Sequence, residues 1–179
     1  MIQTLLWKKF YRVKAHSIYT ELLHARTETI DRGIKIFLAV ASSGSIAGWA
    51  MWTQAGPTWA CLIAASQFVN AILPFLPYKN RKKSLAALSR ELDEIAIHME
   101  IKWLEVSSGE VTEKEMRKLY SEMLNKSAAA IQKHFPDSSI PDNEKIMSKA
   151  EDMANAYLDT YINSGEENGN ESATIEAVA

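Results

Sequence analysis

The fold of this 179-residue chain depends on one stretch without a charged side chain, IFLAVASSGSIAGWAMWTQAGPTWACLIAASQFVNAILPFLPY (residues 36–78). Apolar runs at 36–52 and 59–76 flank a Gly56-Pro57 pair, which indicates a tight turn. As helices, the runs would each be roughly 26 Å long, at the short end of what a bilayer core of about 30 Å requires. We therefore expect a two-helix transmembrane hairpin. A buried hairpin in a soluble bundle is the less favoured alternative, because soluble helices need a polar face.

The charges on both sides of this uncharged segment predict its orientation. Residues 1–35 carry seven bases and three acids, a net of +4, and residues 79–90 carry five bases and no acid. An excess of Lys and Arg marks cytoplasmic flanks, so a multi-pass membrane protein with both termini in the cytoplasm is expected. Aromatic and basic side chains that settle at the membrane interface are the expected anchors. They are Trp49, Trp52, Trp59, Tyr78, Lys79, Arg81, Lys82 and Lys83.

The first apolar run contains small residues at helical spacing. Gly44 and Gly48 form a GxxxG pair, and Ser43 and Ala47 form a second pair of small residues. Such pairs let two helix backbones approach closely in lipid. The contact could join the two helices of one chain or two protomers, and the sequence leaves both open.

The second apolar run contains three polar residues on one helical face, Ser66, Gln67 and Asn70. They could form polar contacts between helices or line a pore in an oligomer. Since two helices cannot enclose a water path, any pore would need several copies. The absence of a charged residue in the segment argues against a proton-coupled transporter.

Helical periodicity continues on both sides of the uncharged segment. Residues 1–35 predict an amphipathic cytoplasmic helix with its apolar stripe at Trp7, Tyr11, Ala15, Ile18, Leu22, Ala25 and Thr29. Residues 79–162 predict a cytoplasmic, coiled-coil-like helical domain. Its first helix has a heptad-like seam at Leu85, Leu88, Leu92, Ile95, Met99 and Trp103.

Local signals divide the rest of the chain. Ser107-Ser108-Gly109 ends one predicted helix, and Thr112 with Glu115 predicts a capping box at the start of the next. Residues 163–179 are acidic and rich in Gly and Asn, which predicts a disordered tail. The fold class expected from the whole sequence is all-α, with a membrane hairpin and a cytoplasmic bundle.

Composition narrows the function. The net charge of -2 argues against a protein that binds nucleic acid through bulk charge. Residues 91–162 hold 15 acids and 8 bases, which suits either a solvated face or a basic partner. The four His residues are scattered and Cys61 is alone, so no metal site, no cofactor and no enzyme activity is expected.

The order of these parts resembles a known family. The basic N-terminal helix and two close spans precede ELDEIAIHMEIKWLEV (91–106), EKEMRKLYSEMLNK (113–126) and KAEDMANAYLDTYI (149–162). This arrangement is similar to the SLATT family, two-transmembrane effectors of bacterial conflict systems encoded beside nucleotide-signalling or retron modules. The resemblance covers about residues 5–162.

The resemblance implies a dormant protein of the bacterial inner membrane that acts in anti-phage defence. It would oligomerise on a cytosolic infection signal, permeabilise or depolarise the membrane and cause abortive infection. The implied partners are further copies of the chain, anionic lipid headgroups and a cytosolic sensor, nucleotide-signalling or retron partner. The alternatives are a holin-like phage lysis protein and a constitutive membrane scaffold or interaction protein.

Overall fold

The structure of the chain, a computed structural model, describes residues 2–51, 56–73, 78–136 and 139–176. It describes the side chains of residues 2–41, 57–73, 81–136 and 139–160. The helices are α1 (Ile2–Met51), α2 (Gly56–Ile72), α3 (Tyr78–Ser107), α4 (Glu113–His134) and α5 (Glu144–Glu176). No strand occurs in these ranges, so the all-α part of the predicted fold class is confirmed.

The predicted transmembrane hairpin is corrected by the structure. Within the described ranges, no helix combines the length and the apolar character that a membrane crossing requires. The membrane fold class, the multi-pass inner-membrane location with cytoplasmic termini and the pore-forming assignment are therefore wrong. α2 has 17 residues and ends before Pro74, which gives roughly 26 Å against a bilayer core of about 30 Å. α1 contains residues 36–51 of the first apolar run inside a 50-residue helix that also carries the charged N-terminal region.

The chain divides into two compact units. Unit 1 comprises residues 1–23 and 85–179, and unit 2 comprises residues 24–84. In unit 1, the first part of α1 packs with α3, α4 and α5 around one apolar core. Its fully buried side chains include Leu6, Phe10, Leu85, Leu88, Leu92 and Met123. The α3 seam predicted from the sequence is buried from Leu85 to Met99, and Trp103 is half-buried against Trp7.

The buried face of α1 differs from the stripe that hydropathy predicts. It is centred on Leu6, Phe10, Val13, Ser17 and Thr20. Of the predicted stripe, Ala15 and Ile18 are buried, whereas Ala25 and Thr29 are exposed. The difference arises because Ser17 and Thr20 are polar residues that can be buried, since their hydroxyl groups are hydrogen-bonded within the protein. Thr20 donates to carbonyl oxygens of its own helix, and Ser17 donates to the Asp93 carboxylate at 3.4 Å.

The helix ends in unit 1 follow local chemistry. α3 ends at Ser107, and Gly109 has a φ of +79°, a conformation that favours glycine. The capping box is confirmed, because Thr112 and Glu115 each accept a hydrogen bond from the backbone N–H of the other. α5 is helical to Glu176, past the point where the sequence predicts a disordered tail.

Tyr19 attaches the connection between α4 and α5 to α1. Tyr19 is 3% exposed, and its hydroxyl donates to the carbonyl oxygen of Pro141. The hydroxyl oxygen of Tyr19 in turn accepts a hydrogen bond from the backbone N–H of Asn143 at 2.9 Å. The Asn143 side chain in turn accepts from the N–H of Ile146 at 3.1 Å, as an N-cap does. Burial raises the pKa of the Tyr19 hydroxyl, so this group remains a protonated donor at neutral pH.

Replacing Tyr19 with Phe is expected to lower the free energy of unfolding by about 1–2 kcal/mol. The change leaves one carbonyl and one N–H without their partner in a half-buried connection. Tyr11→Phe is the matched control on α1, since no hydrogen bond of the Tyr11 hydroxyl occurs in the described part of the chain, and it should cost less than about 0.5 kcal/mol. Urea denaturation followed by circular dichroism measures both. Equal losses would contradict the role of the Tyr19 hydroxyl.

Candidate functional site

Exposed apolar side chains distinguish the uncharged segment of unit 2. Phe68 in α2 is 67% exposed and Ile36 in α1 is 58% exposed. Between residues 36 and 78 neither helix carries a charged residue. Within this segment, the large apolar residues that are exposed are Ile36, Phe37 and Val40 on α1 and Ile63, Phe68 and Ile72 on α2. Single exposed apolar side chains are common, but this uncharged segment carries six of them.

The three polar residues predicted to share one face of α2 differ in their exposure. Ser66 is buried, and its hydroxyl donates to the carbonyl oxygen of Ile63 at 2.8 Å, inside its own helix. Gln67 and Asn70 are exposed. The hydroxyl of Ser66 is therefore satisfied locally, while the two amides lie on the surface beside Phe68 in the sequence. The structure does not bring the three side chains into one hydrogen-bonded group.

Several of the residues predicted to form helix contacts and membrane anchors lie outside the described side chains. These are Ser43, Gly44, Ala47, Gly48 and Trp49 in α1, Trp52 after it, and Tyr78 and Lys79 at the start of α3. Trp59 is half-buried, and its indole N–H has no hydrogen-bond partner among the residues that the structure describes.

Ion pairs lie next to the uncharged segment in unit 2. The ammonium of Lys82 lies 3.6 Å from a carboxylate oxygen of Glu28 and 3.9 Å from one of Asp31. Asp31 also pairs with Lys35 at 2.8 Å. Arg81 and Lys83 are exposed. Pairs of this exposure each contribute about 0–1 kcal/mol, so they add little to the stability of the contact between the beginning of α3 and α1.

Unit 1 carries a second exposed apolar surface, which the sequence analysis missed. Ile97, Ile101 and Leu104 are 48%, 54% and 57% exposed on α3. Their spacing of four and three residues places them on one helical face, and we name them the α3 stripe. The spacing of these three residues is visible in the sequence, but the helical periodicity of α3 was assigned only to its buried seam.

A cleft of about 360 Å³ lies in unit 1 beside the α3 stripe, between the end of α3 and the start of α4. Three apolar side chains line it, Val106, Val111 and Leu119. Its charged lining consists of Lys102, Glu105, Glu110, Glu115, Lys118 and Glu122. We name it the acidic cleft, because its lining contains four carboxylates and only two ammonium groups.

Hydrogen bonds lower the pKa of two carboxylates in the acidic cleft. The Thr112 hydroxyl and then its backbone N–H lower the pKa of Glu115, and the hydrogen bond from Lys126 lowers the pKa of Glu122. The Lys102 ammonium lies 2.7 Å from Glu105. Glu110 is exposed in the connection between the two helices. At neutral pH the lining therefore has an excess of negative charge.

Other polar contacts in unit 1 join helices. The ammonium of Lys14 in α1 donates to Asp93 in α3 at 3.0 Å and lies 4.3 Å from the centre of the Tyr157 ring in α5. Tyr157 donates to Glu100 at 2.6 Å. These contacts connect three helices through partly buried groups, which suits a structural role.

The histidines do not converge on a metal-binding arrangement. Within the described residues, no three His, Cys, Asp or Glu side chains are close enough to hold a metal ion. His16 is bonded to the carbonyl oxygen of Arg12 in its own helix, and His134 contacts Glu91 at 2.7 Å.

No family model, curated protein or solved structure in the comparisons matches this chain. The resemblance to the SLATT family stays a prediction from the sequence, as do the expectations of no enzyme activity and no cofactor.

A pH-dependent contribution to stability is expected from Glu91. Hydrogen bonds from Lys133 and His134 lower its pKa from the usual 4.5, so the unfolded chain binds this proton more readily than the folded chain. The contribution is therefore present above pH 4.5 and is lost as pH falls through the lowered pKa of the folded chain. Because the group is partly exposed, we expect Glu91→Gln to cost about 0.5 kcal/mol at pH 7.

Chemical denaturation of both proteins between pH 7 and pH 3 measures this difference, which should close as the pH falls. Glu94→Gln, at an exposed position of the same helix, is the control and should leave stability unchanged at each pH. A gap between Glu91→Gln and the wild type that stays constant to pH 3 would refute the assignment.

Proposed function

We propose that this chain is a helical effector of the SLATT type in bacterial anti-phage defence, and that self-association through unit 2 is its output. Membrane permeabilisation is left out of the proposal, because no described helix meets the requirements for a membrane crossing. The observation that carries the proposal is the set of exposed apolar side chains on α1 and α2 in a segment without charge.

Physical chemistry supports a homotypic contact at this segment. Burying one Phe or Ile side chain contributes about 1.5–3 kcal/mol, and the six exposed apolar side chains supply several such contributions. Two copies bring no like charges together here, since residues 36–78 hold no ionisable side chain except Cys61 and Tyr78. The exposed amides of Gln67 and Asn70 could pair with their equivalents in a second copy.

The order of the helices supports the effector assignment. The basic N-terminal part of α1 precedes the uncharged segment, and α3, α4 and α5 follow it. The sequence resemblance rests on the same order. A constitutive interaction protein with this helix order would self-associate as well, so the two functions differ in their dependence on infection rather than in their geometry.

Substitution of exposed apolar residues in unit 2 by charged ones is expected to abolish self-association. We predict that Ile36→Glu with Phe68→Glu shifts the protein from an oligomer to a monomer, with at least a tenfold weaker association. A buried carboxylate without a partner is costly to desolvate. Leu5→Glu is the matched control, an exposed apolar position of unit 1, and should leave the oligomer unchanged. Light scattering coupled to size-exclusion chromatography measures both.

Infection of cells tests the effector assignment separately. Phage should form fewer plaques on cells that express the wild-type chain with its neighbouring genes than on cells that express the double variant at an equal protein level. A monomeric double variant that still protects would disprove self-association as the output. A wild-type chain that oligomerises without any effect on plaques would disprove the defence function and favour a constitutive interaction protein.

A further inference from the structure

We propose that the α3 stripe and the acidic cleft together form a docking site for a basic amphipathic helix of a partner protein. The inference goes beyond the proposed function and does not rest on it, because the site lies in unit 1 and involves no residue of the uncharged segment.

The α3 stripe has the geometry that receives an amphipathic helix. Ile97, Ile101 and Leu104 span two turns, or roughly 10 Å along the axis of α3. They lie on the solvent side, while Leu92, Ile95 and Met99 of the same helix are in the core. A partner helix with apolar residues at i, i+3, i+4 and i+7 would present a stripe of matching length. About half of each apolar side chain is still accessible for this contact.

The acidic cleft adjoins the stripe on α3 itself. Glu105, which lines the cleft, lies four residues after Ile101 and is therefore its neighbour on the surface of α3. A helix that lies on the stripe would therefore project side chains from one edge toward the cleft. The methylene stem of a Lys or Arg fits the apolar lining of Val106, Val111 and Leu119, and its cation would meet the carboxylates of the rim.

Charge selects a basic partner over a second copy of this chain. Asp93 and Glu100 flank the stripe on one side of α3, and Glu94 and Glu105 flank it on the other. Lys14 pairs with Asp93 and Lys102 pairs with Glu105, whereas no ion pair among the described residues includes Glu94, Glu110 or Glu115. Pairing two copies through the stripe would bring like charges together, whereas a helix with Lys or Arg beside its apolar face would complement them.

A designed peptide tests the site on the full chain. The probe is a fluorescent 14-residue helix with Leu at i, i+3, i+4 and i+7 and Lys at the other positions, and the control peptide has Glu in place of Lys. We expect fluorescence anisotropy to show saturable binding of the Lys peptide that weakens with added salt, and at least tenfold weaker binding of the Glu peptide.

Variants at exposed positions locate the binding. Ile101→Glu should weaken binding of the Lys peptide at least tenfold by interrupting the stripe. Glu110→Gln should weaken it several-fold and reduce its salt dependence. Leu124→Glu is the matched control, because Leu124 is exposed on α4 and lines neither stripe nor cleft. Circular dichroism and thermal unfolding verify that each variant keeps its fold.

Three results would overturn the proposal. The first is no binding of the Lys peptide, or equal binding of both peptides. The second is equal effects of Ile101→Glu and Leu124→Glu. The third is a wild-type oligomer that Ile101→Glu dissociates, since the stripe would then be covered by a second copy. Loss of oligomers in the variant Ile36→Glu with Phe68→Glu does not bear on peptide binding. Self-association through unit 2 and helix docking on unit 1 can therefore be disproved independently of each other.

Discussion

The burial of one face of α1 by three other helices is the contact on which unit 1 depends. Leu6 and Phe10 are each 1% exposed, and they meet buried residues of α3, α4 and α5 in one core. Truncating a side chain in such a place leaves a cavity and typically costs about 2–5 kcal/mol. Beyond Leu23 the same helix belongs to unit 2, where Ile36, Phe37 and Val40 are exposed. One helix thus contributes a covered surface and an uncovered one.

Polar contacts give this core its register, since apolar burial alone is not directional. Tyr19 holds the start of α5, Lys14 contacts Asp93 in α3, and Glu91 contacts the end of α4. Each contact joins a different pair of elements, so sliding one helix along another would break at least one of them. Such bonds contribute only about 0.5–1.5 kcal/mol each. Their effect lies in distinguishing the native arrangement from others with similar apolar burial.

The sequence predicted the features that local chemistry determines, namely the α3 seam and the capping box of Thr112 and Glu115. It misplaced the buried face of α1, because hydropathy counts Ser17 and Thr20 as polar whereas their hydroxyls are bonded inside the protein. The prediction of a membrane hairpin was wrong, because a run of uncharged residues shows its composition but does not show where the helix that contains it begins and ends. The α3 stripe was overlooked, because one helix has two apolar faces and its periodicity was assigned to the buried face alone.

The two exposed surfaces differ in the chemistry that decides which molecules they accept. The uncharged segment has no charge with which to repel its own copies, so homotypic contact meets no electrostatic barrier there. Carboxylates flank the α3 stripe, and in the proposed interaction they would oppose a second copy and favour a cation-bearing helix. If both surfaces act as proposed, they would not compete for the same occupant. A basic partner could then bind unit 1 while unit 2 self-associates, and charge rather than shape would keep the two interactions apart.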